Sequence, residues 1–146
     1  MKKLKHKALL MLFMIIGSIA ISSCDDNDGY YLFDNLTSGS WEVDLGENDG
    51  PDALISIFNF YGDGLGIEYV ETFDGLPIRE NRFRWRLSND YYANYLELRY
   101  MDVSRNEYFD ELSLSGDIMR AVFYFDRYGF DNKVDGISVK MQHVFY

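Results

Sequence analysis

Phe83-Arg84-Trp85-Arg86-Leu87, with Asn81 and Arg82 before it, decides the fold of this chain. Its bulky apolar residues fall at every second position, with arginine in between. A period of two sends Phe83, Trp85 and Leu87 to one face of a pleated strand and Arg82, Arg84 and Arg86 to the other. Residues 95–101 repeat the pattern, with Leu96, Leu98 and Tyr100 set against Glu97 and Arg99.

The same reading extends in both directions. Leu54–Tyr61 and Leu65–Phe73 flank Gly62-Asp63-Gly64, a glycine turn that fits a hairpin. Tyr108–Leu114 and Ile118–Arg127 form a second hairpin around Ser115-Gly116-Asp117. Trp41, Val43 and Leu45 alternate in a first strand within Leu36–Leu45, and Ile137, Val139, Met141, His143 and Phe145 share one face of a last strand, Gly136–Tyr146. Eight strands and no helix are expected after Cys24. Short strands joined by tight turns predict an all-β, antiparallel, eight-stranded meander barrel, with a two-sheet β-sandwich as the alternative. The barrel is preferred because closure leaves no edge strand exposed.

The amino terminus is of a different kind. Met1–Lys7 is basic, and Ala8–Ser22 is an uncharged run of fifteen apolar and small residues, which fits a signal peptide. A spanning helix needs roughly 20 such residues. Ile21-Ser22-Ser23-Cys24 resembles the lipobox of bacterial lipoproteins. The resemblance implies cleavage between Ser23 and Cys24, diacylglycerol on the Cys24 sulfur and a further acyl chain, such as palmitate, on its amine. At about 0.8 kcal/mol per buried methylene, such an anchor is stable in a membrane. The expected organisation is a signal peptide over 1–23, a lipidated cysteine and acidic linker over 24–35, and the barrel over 36–146. The expected location is the cell envelope, at the outer membrane or the cell surface. Cys24 is the only cysteine, so no disulfide forms within the chain.

Removing residues 1–23 takes four lysines away, leaving ten Arg and Lys against 24 Asp and Glu and a formal charge of −14. That balance argues against a nucleic-acid partner. The 123 residues that remain suit one domain with a single core.

Gly39-Ser40-Trp41, the Phe58–Gly64 hairpin, Phe83-Arg84-Trp85 and Leu112-Ser113-Leu114 resemble bacterial lipocalin-like lipoproteins over residues 36–146. The resemblance implies a ligand-holding barrel whose tryptophan, Trp41, packs across the closed end beneath a basic residue from near the last strand. Lys140 and Arg127 are the candidates for that residue.

Catalysis finds little support in the residue pattern. His143 is the sole histidine after Cys24, and its apolar neighbours on the strand place it in the core or on the barrel lining. A lipidated Cys24 leaves no Cys-His nucleophile. Neither Gly29 nor Gly136 aligns with the glycine of a calcium-binding EF-hand loop, and Glu47, Asp49 and Asp52 read as solvated turn residues. Glu68 with Glu71, and Asp110 with Glu111, are chance pairs in so acidic a chain. Asn35-Leu36-Thr37 is a coincidental sequon. No metal, cofactor or enzymatic activity is expected. The three arginines of the fourth strand either bind an anion or pair with acids such as Glu97 and Glu68 on neighbouring strands; pairing is the expectation.

Three functions remain. The first is a non-enzymatic binding protein that takes a small hydrophobic or amphipathic ligand, with Trp41, Phe58, Phe60, Phe83, Trp85 and His143 as ligand-lining or core residues. The second is an interaction or scaffold protein with a solid barrel and a protein partner. The third is an inhibitor that acts through Gly46–Asp52 or Asp126–Asp135.

Overall fold

The computed structural model describes residues 28–45, 53–90 and 93–145. Ser23 and Cys24, with the expected signal peptide, and the acids Glu47, Asp49 and Asp52 lie outside the described residues. Eight strands form a closed antiparallel barrel among the described residues, each paired with its sequence neighbour and β8 returning to β1. They are β1 (Ser40–Asp44), β2 (Leu54–Phe60), β3 (Leu65–Thr72), β4 (Pro77–Asp90), β5 (Ala93–Tyr100), β6 (Asn106–Ser115), β7 (Ile118–Tyr124) and β8 (Ile137–Val144). The expected meander barrel is therefore what the chain forms, and the sandwich is set aside.

Turn chemistry fixes the registers. Between β2 and β3, Asp63 accepts a hydrogen bond from the Leu65 backbone N–H at 3.0 Å and Gly64 takes φ 81°, where a side chain is disfavoured. Phe58 then stands opposite Glu68, and Gly66 opposite Phe83. A Cβ on Gly66 would collide with the Phe83 ring, so the absence of a side chain there lets that ring reach the barrel axis. Alternation sends Trp41, Val43, Phe58, Phe60, Phe83, Trp85, Leu96, Leu98, Phe109, Phe123 and Met141 inward, all buried. Phe58 contacts Phe60, Phe83 and Phe109 at ring separations of 5.7 to 6.1 Å, and Phe60 meets Trp85 at 5.6 Å. Each such burial stabilises by roughly 1.5–3 kcal/mol.

Among the described residues, two helices depart from the all-strand expectation. Helix α1 (Asp28–Thr37) occupies most of what reads in sequence as a linker. Its Leu32 and Leu36 are buried in the barrel core, and Phe33 lies 5.5 Å from the Trp85 ring. One end of the barrel is thus covered, and the folded unit begins before residue 36. Helix α2 (Arg127–Asn132) replaces the expected end of the seventh strand at Arg127. Asp126 caps it by accepting from the Gly129 N–H at 2.7 Å, and Lys133 ends it in the left-handed conformation.

The basic partner expected over Trp41 is neither Lys140, which faces outward on β8, nor Arg127, which lies in α2 and pairs with Asp131. His143 takes the place. It stands opposite Trp41 in the β1–β8 register, with ring centroids 4.7 Å apart, and the Trp41 indole N–H donates to the Leu36 carbonyl at 3.3 Å.

Candidate functional site

The barrel end away from α1 carries a buried polar cluster. Glu68 projects inward from β3 because its register partner Phe58 does, and it is 1 % exposed. Its Oε1 accepts from the Ser56 hydroxyl at 2.8 Å, and its Oε2 accepts from Asn81 Nδ2 at 2.7 Å and Arg105 Nη2 at 3.2 Å. Glu107, inward on β6, accepts from the Tyr100 hydroxyl at 2.8 Å and lies 3.2 Å from Arg105 Nε. Arg105 thus bridges two buried carboxylates while its guanidinium lies 4.0 Å above the Tyr100 ring. Burial opposes the charge on Arg105, but Glu107, Tyr100 and Glu68 outweigh it and strengthen its hold on the proton. Burial first, then the charges of Glu107 and Glu68, pushes the Tyr100 phenol far up, so it stays a hydrogen-bond donor.

Around this cluster the end is apolar and exposed. The β3–β4 turn contributes Phe73 and Leu76, the β5–β6 turn Met101 and Val103, and the end of β7 Phe125; Phe73 is 72 % exposed and Leu76 64 %. A cleft of about 280 Å³, lined by Ser104, Arg105, Asn106, Phe125, Asp126 and Arg127, opens between the β5–β6 turn and the start of α2. Arg105 therefore both lines this cleft and reaches the buried carboxylates. An arrangement of this kind holds an apolar body against the rim and a polar group against Arg105.

The outer wall carries a second polar group. Glu97 is 1 % exposed although it faces away from the barrel interior. Arg99 grips both its oxygens at 3.1 Å, Arg86 lies 3.5 Å away, and the Tyr108 hydroxyl donates to it at 3.2 Å. Burial pushes the Glu97 carboxyl up, but Arg99, Tyr108 and Arg86 together hold it below the ordinary carboxylate value. Helix α2 lies on this wall, with Phe130 stacked 4.5 Å from Tyr108 and tilted against Tyr95 at 4.9 Å.

The residues singled out in sequence come together inside the barrel: Phe58, Phe60, Phe83 and Trp85 in mutual ring contact, Trp41 against His143. Their rings fill the barrel centre and the α1 end, so the polar cluster and apolar rim at the other end are the more accessible site. Glu68 does not pair with the β4 arginines, since it faces inward to Arg105; Glu97 does pair with Arg86. Sequence reading assigned no role to Arg105, Glu107 or Tyr100. The signal was available in the short β2–β3 hairpin, which places Glu68 on the Phe58 face. Among the described residues no group of three or more His, Cys, Asp or Glu side chains is placed to hold a metal ion, and no helix is long and apolar enough to cross a membrane.

These features define a class: a closed, eight-stranded, lipocalin-like β-barrel with an aromatic interior. No protein-family model, curated protein or solved structure matches the chain.

Proposed function

We propose that this chain is a non-enzymatic, lipid-anchored binding protein of the cell envelope, tethered through Cys24, that takes a small amphipathic ligand at the open end of its barrel. The observation that carries this reading is the exposed apolar rim of Phe73, Leu76, Met101, Val103 and Phe125 around a buried charged cluster. Solvent exposure of so many large apolar side chains at one end of a small domain marks a contact surface. Arg105, which lines the cleft beside that rim, supplies the polar contact for the ligand head group.

The test is native mass spectrometry of the chain from Cys24 onward, purified without detergent and titrated with a panel of fatty acids, lysolipids and sterols. The expected result is a one-to-one adduct that weakens when Met101 and Val103 are changed to serine. A ligand-free mass across the panel would overturn ligand binding. The filled barrel centre favours a second reading, an interaction protein that uses the same rim against a protein partner. Crosslinking in cells from position 103, lost in the Phe73→Ser, Met101→Ser variant, would support it.

A further inference from the structure

The apolar rim of the open end is interleaved with acids. The β3–β4 turn reads Phe73-Asp74-Gly75-Leu76 and the β5–β6 turn Met101-Asp102-Val103; Asp126 follows Phe125 after β7, and Asp135 follows Val134 before β8. Each of these aspartates is exposed and adjoins an exposed apolar side chain. None of the four forms an ion pair among the described residues, although Asp126 caps α2 through Oδ1. Nearby cations are committed elsewhere: Arg105 to Glu68 and Glu107, Arg127 to Asp131, Lys133 to Asp110, and Arg79 at the start of β4 also has a partner. The rim therefore carries four negative charges that the described residues do not neutralise by direct contact.

Exposed apolar side chains mark a contact surface, and the acids among them select the sign of what covers it. A wholly apolar partner would take water from the aspartates and give nothing back, which costs free energy; cations among its apolar groups offset that cost. Topology sets the size of the partner. The β3–β4 and β7–β8 connections lie four strands apart in the closed barrel, on opposite sides of its mouth, with the β5–β6 turn between them. A single small head group does not reach all of them, whereas a stretch of polypeptide does. The charge of the whole chain, −10, steers a cationic partner toward it.

We infer that the open end docks a polypeptide segment that carries lysine or arginine among apolar side chains, its apolar groups meeting the rim and its cations the four aspartates. This rests on the reading of the rim as a surface for a protein partner. Exposed ion pairs contribute little singly, so the apolar contacts hold the partner and the charges select it.

The test uses dye-labelled amphipathic peptides that share their leucine positions and carry lysine, glutamine or glutamate between them. Each is titrated with the chain from Cys24 onward and followed by fluorescence anisotropy. The lysine peptide should bind most tightly and the glutamate peptide not at all. Phe73→Ser, Met101→Ser should weaken the lysine peptide by about tenfold or more. Asp74→Asn, Asp102→Asn should weaken it roughly fivefold. Asp34→Asn, Glu42→Gln, which removes the same charge from α1 and the β1 wall, should leave the affinity unchanged; circular dichroism checks the fold of each variant. Equal weakening by the rim and wall acid variants would assign binding to net charge alone and overturn the proposal. Preference for the glutamine or glutamate peptide, or binding of none, overturns it too. Crosslinking to a protein in cells from position 103 is read separately: if it persists, the protein-partner reading outlives this inference, and if it is lost, both fall.

Discussion

His143 lies against Trp41 in the space that the missing side chain of Gly39 leaves open, where a Cβ would collide with the imidazole. The ring also meets Phe145 edge-on at 4.4 Å, and its Nε2 lies 3.4 Å from the Ser38 hydroxyl. Gly39→Val should force the ring off Trp41 and destabilise the barrel by about 1–3 kcal/mol. Urea denaturation followed by tryptophan emission measures this. A variant as stable as the wild type would show that the stacking does not depend on Gly39.

Arg105 neutralises Glu68 and Glu107 where water cannot. Arg105→Met should cost about 3–5 kcal/mol, because it leaves two carboxylates buried without their cation. Adding Glu68→Gln and Glu107→Gln should recover most of that loss. Thermal unfolding of the single and triple variants decides the matter; a triple variant no better than the single one would place the cost in lost packing against Tyr100.

Glu97 makes stability depend on pH, with a sign that follows from its lowered pKa. Unfolded, it takes up a proton near 4.5; folded, it does so at lower pH. Its contribution is complete above that ordinary value and disappears as the pH falls through the folded value. Glu97→Gln should lower stability at neutral pH and flatten the acid limb of the stability curve. Equal acid limbs in urea melts of the two proteins would remove Glu97 as its source.

Gly66 and Phe83 are coupled by close approach. Gly66→Val should destabilise by about 1–3 kcal/mol, and Phe83→Leu in the same chain should cost less than the sum of the two changes. A double-mutant cycle that adds without coupling would show that the sheet bends to accept both.

Cys24 carries the whole proposed anchor. Cys24→Ala should abolish incorporation of a labelled fatty acid and keep the signal peptide on the chain, while the circular dichroism of the barrel stays the same. Equal label in both proteins sinks the lipoprotein reading.

The strands were legible because their signals are local. Phe83-Arg84-Trp85-Arg86-Leu87 declares a half-buried strand whatever surrounds it, but β4 is longer than that signal, beginning six residues before Phe83 at Pro77 and ending three after Leu87 at Asp90. Helix α1 was hidden because its apolar residues, Leu32, Phe33 and Leu36, follow an acidic run and become helical by packing on Trp41 and Trp85, a tertiary effect. The same holds for His143: its face was read correctly, but its partner depends on the register between the first and last strands. The polar cluster was illegible for a related reason. Arg105 lies in a turn, and only closure of the barrel brings it to Glu68, thirty-seven positions away. The shift in β6–β7 pairing between Asp110 and Ser113, where Glu111 takes φ 54°, leaves no mark in the residue pattern.

Closure of the barrel also sets the order in which the chain can mature. The seam between β1 and β8 joins segments about a hundred residues apart, and such distant pairing is the slow step of a β-topology. Its registered contacts are three: Ser40 with Val144, Trp41 with His143 and Glu42 with Gln142. Until Ile137–Val144 has left the ribosome, β1 and β7 each present an open edge. A growing chain of this design therefore stays unlocked until β8 has emerged, however well the seven strands before it have paired.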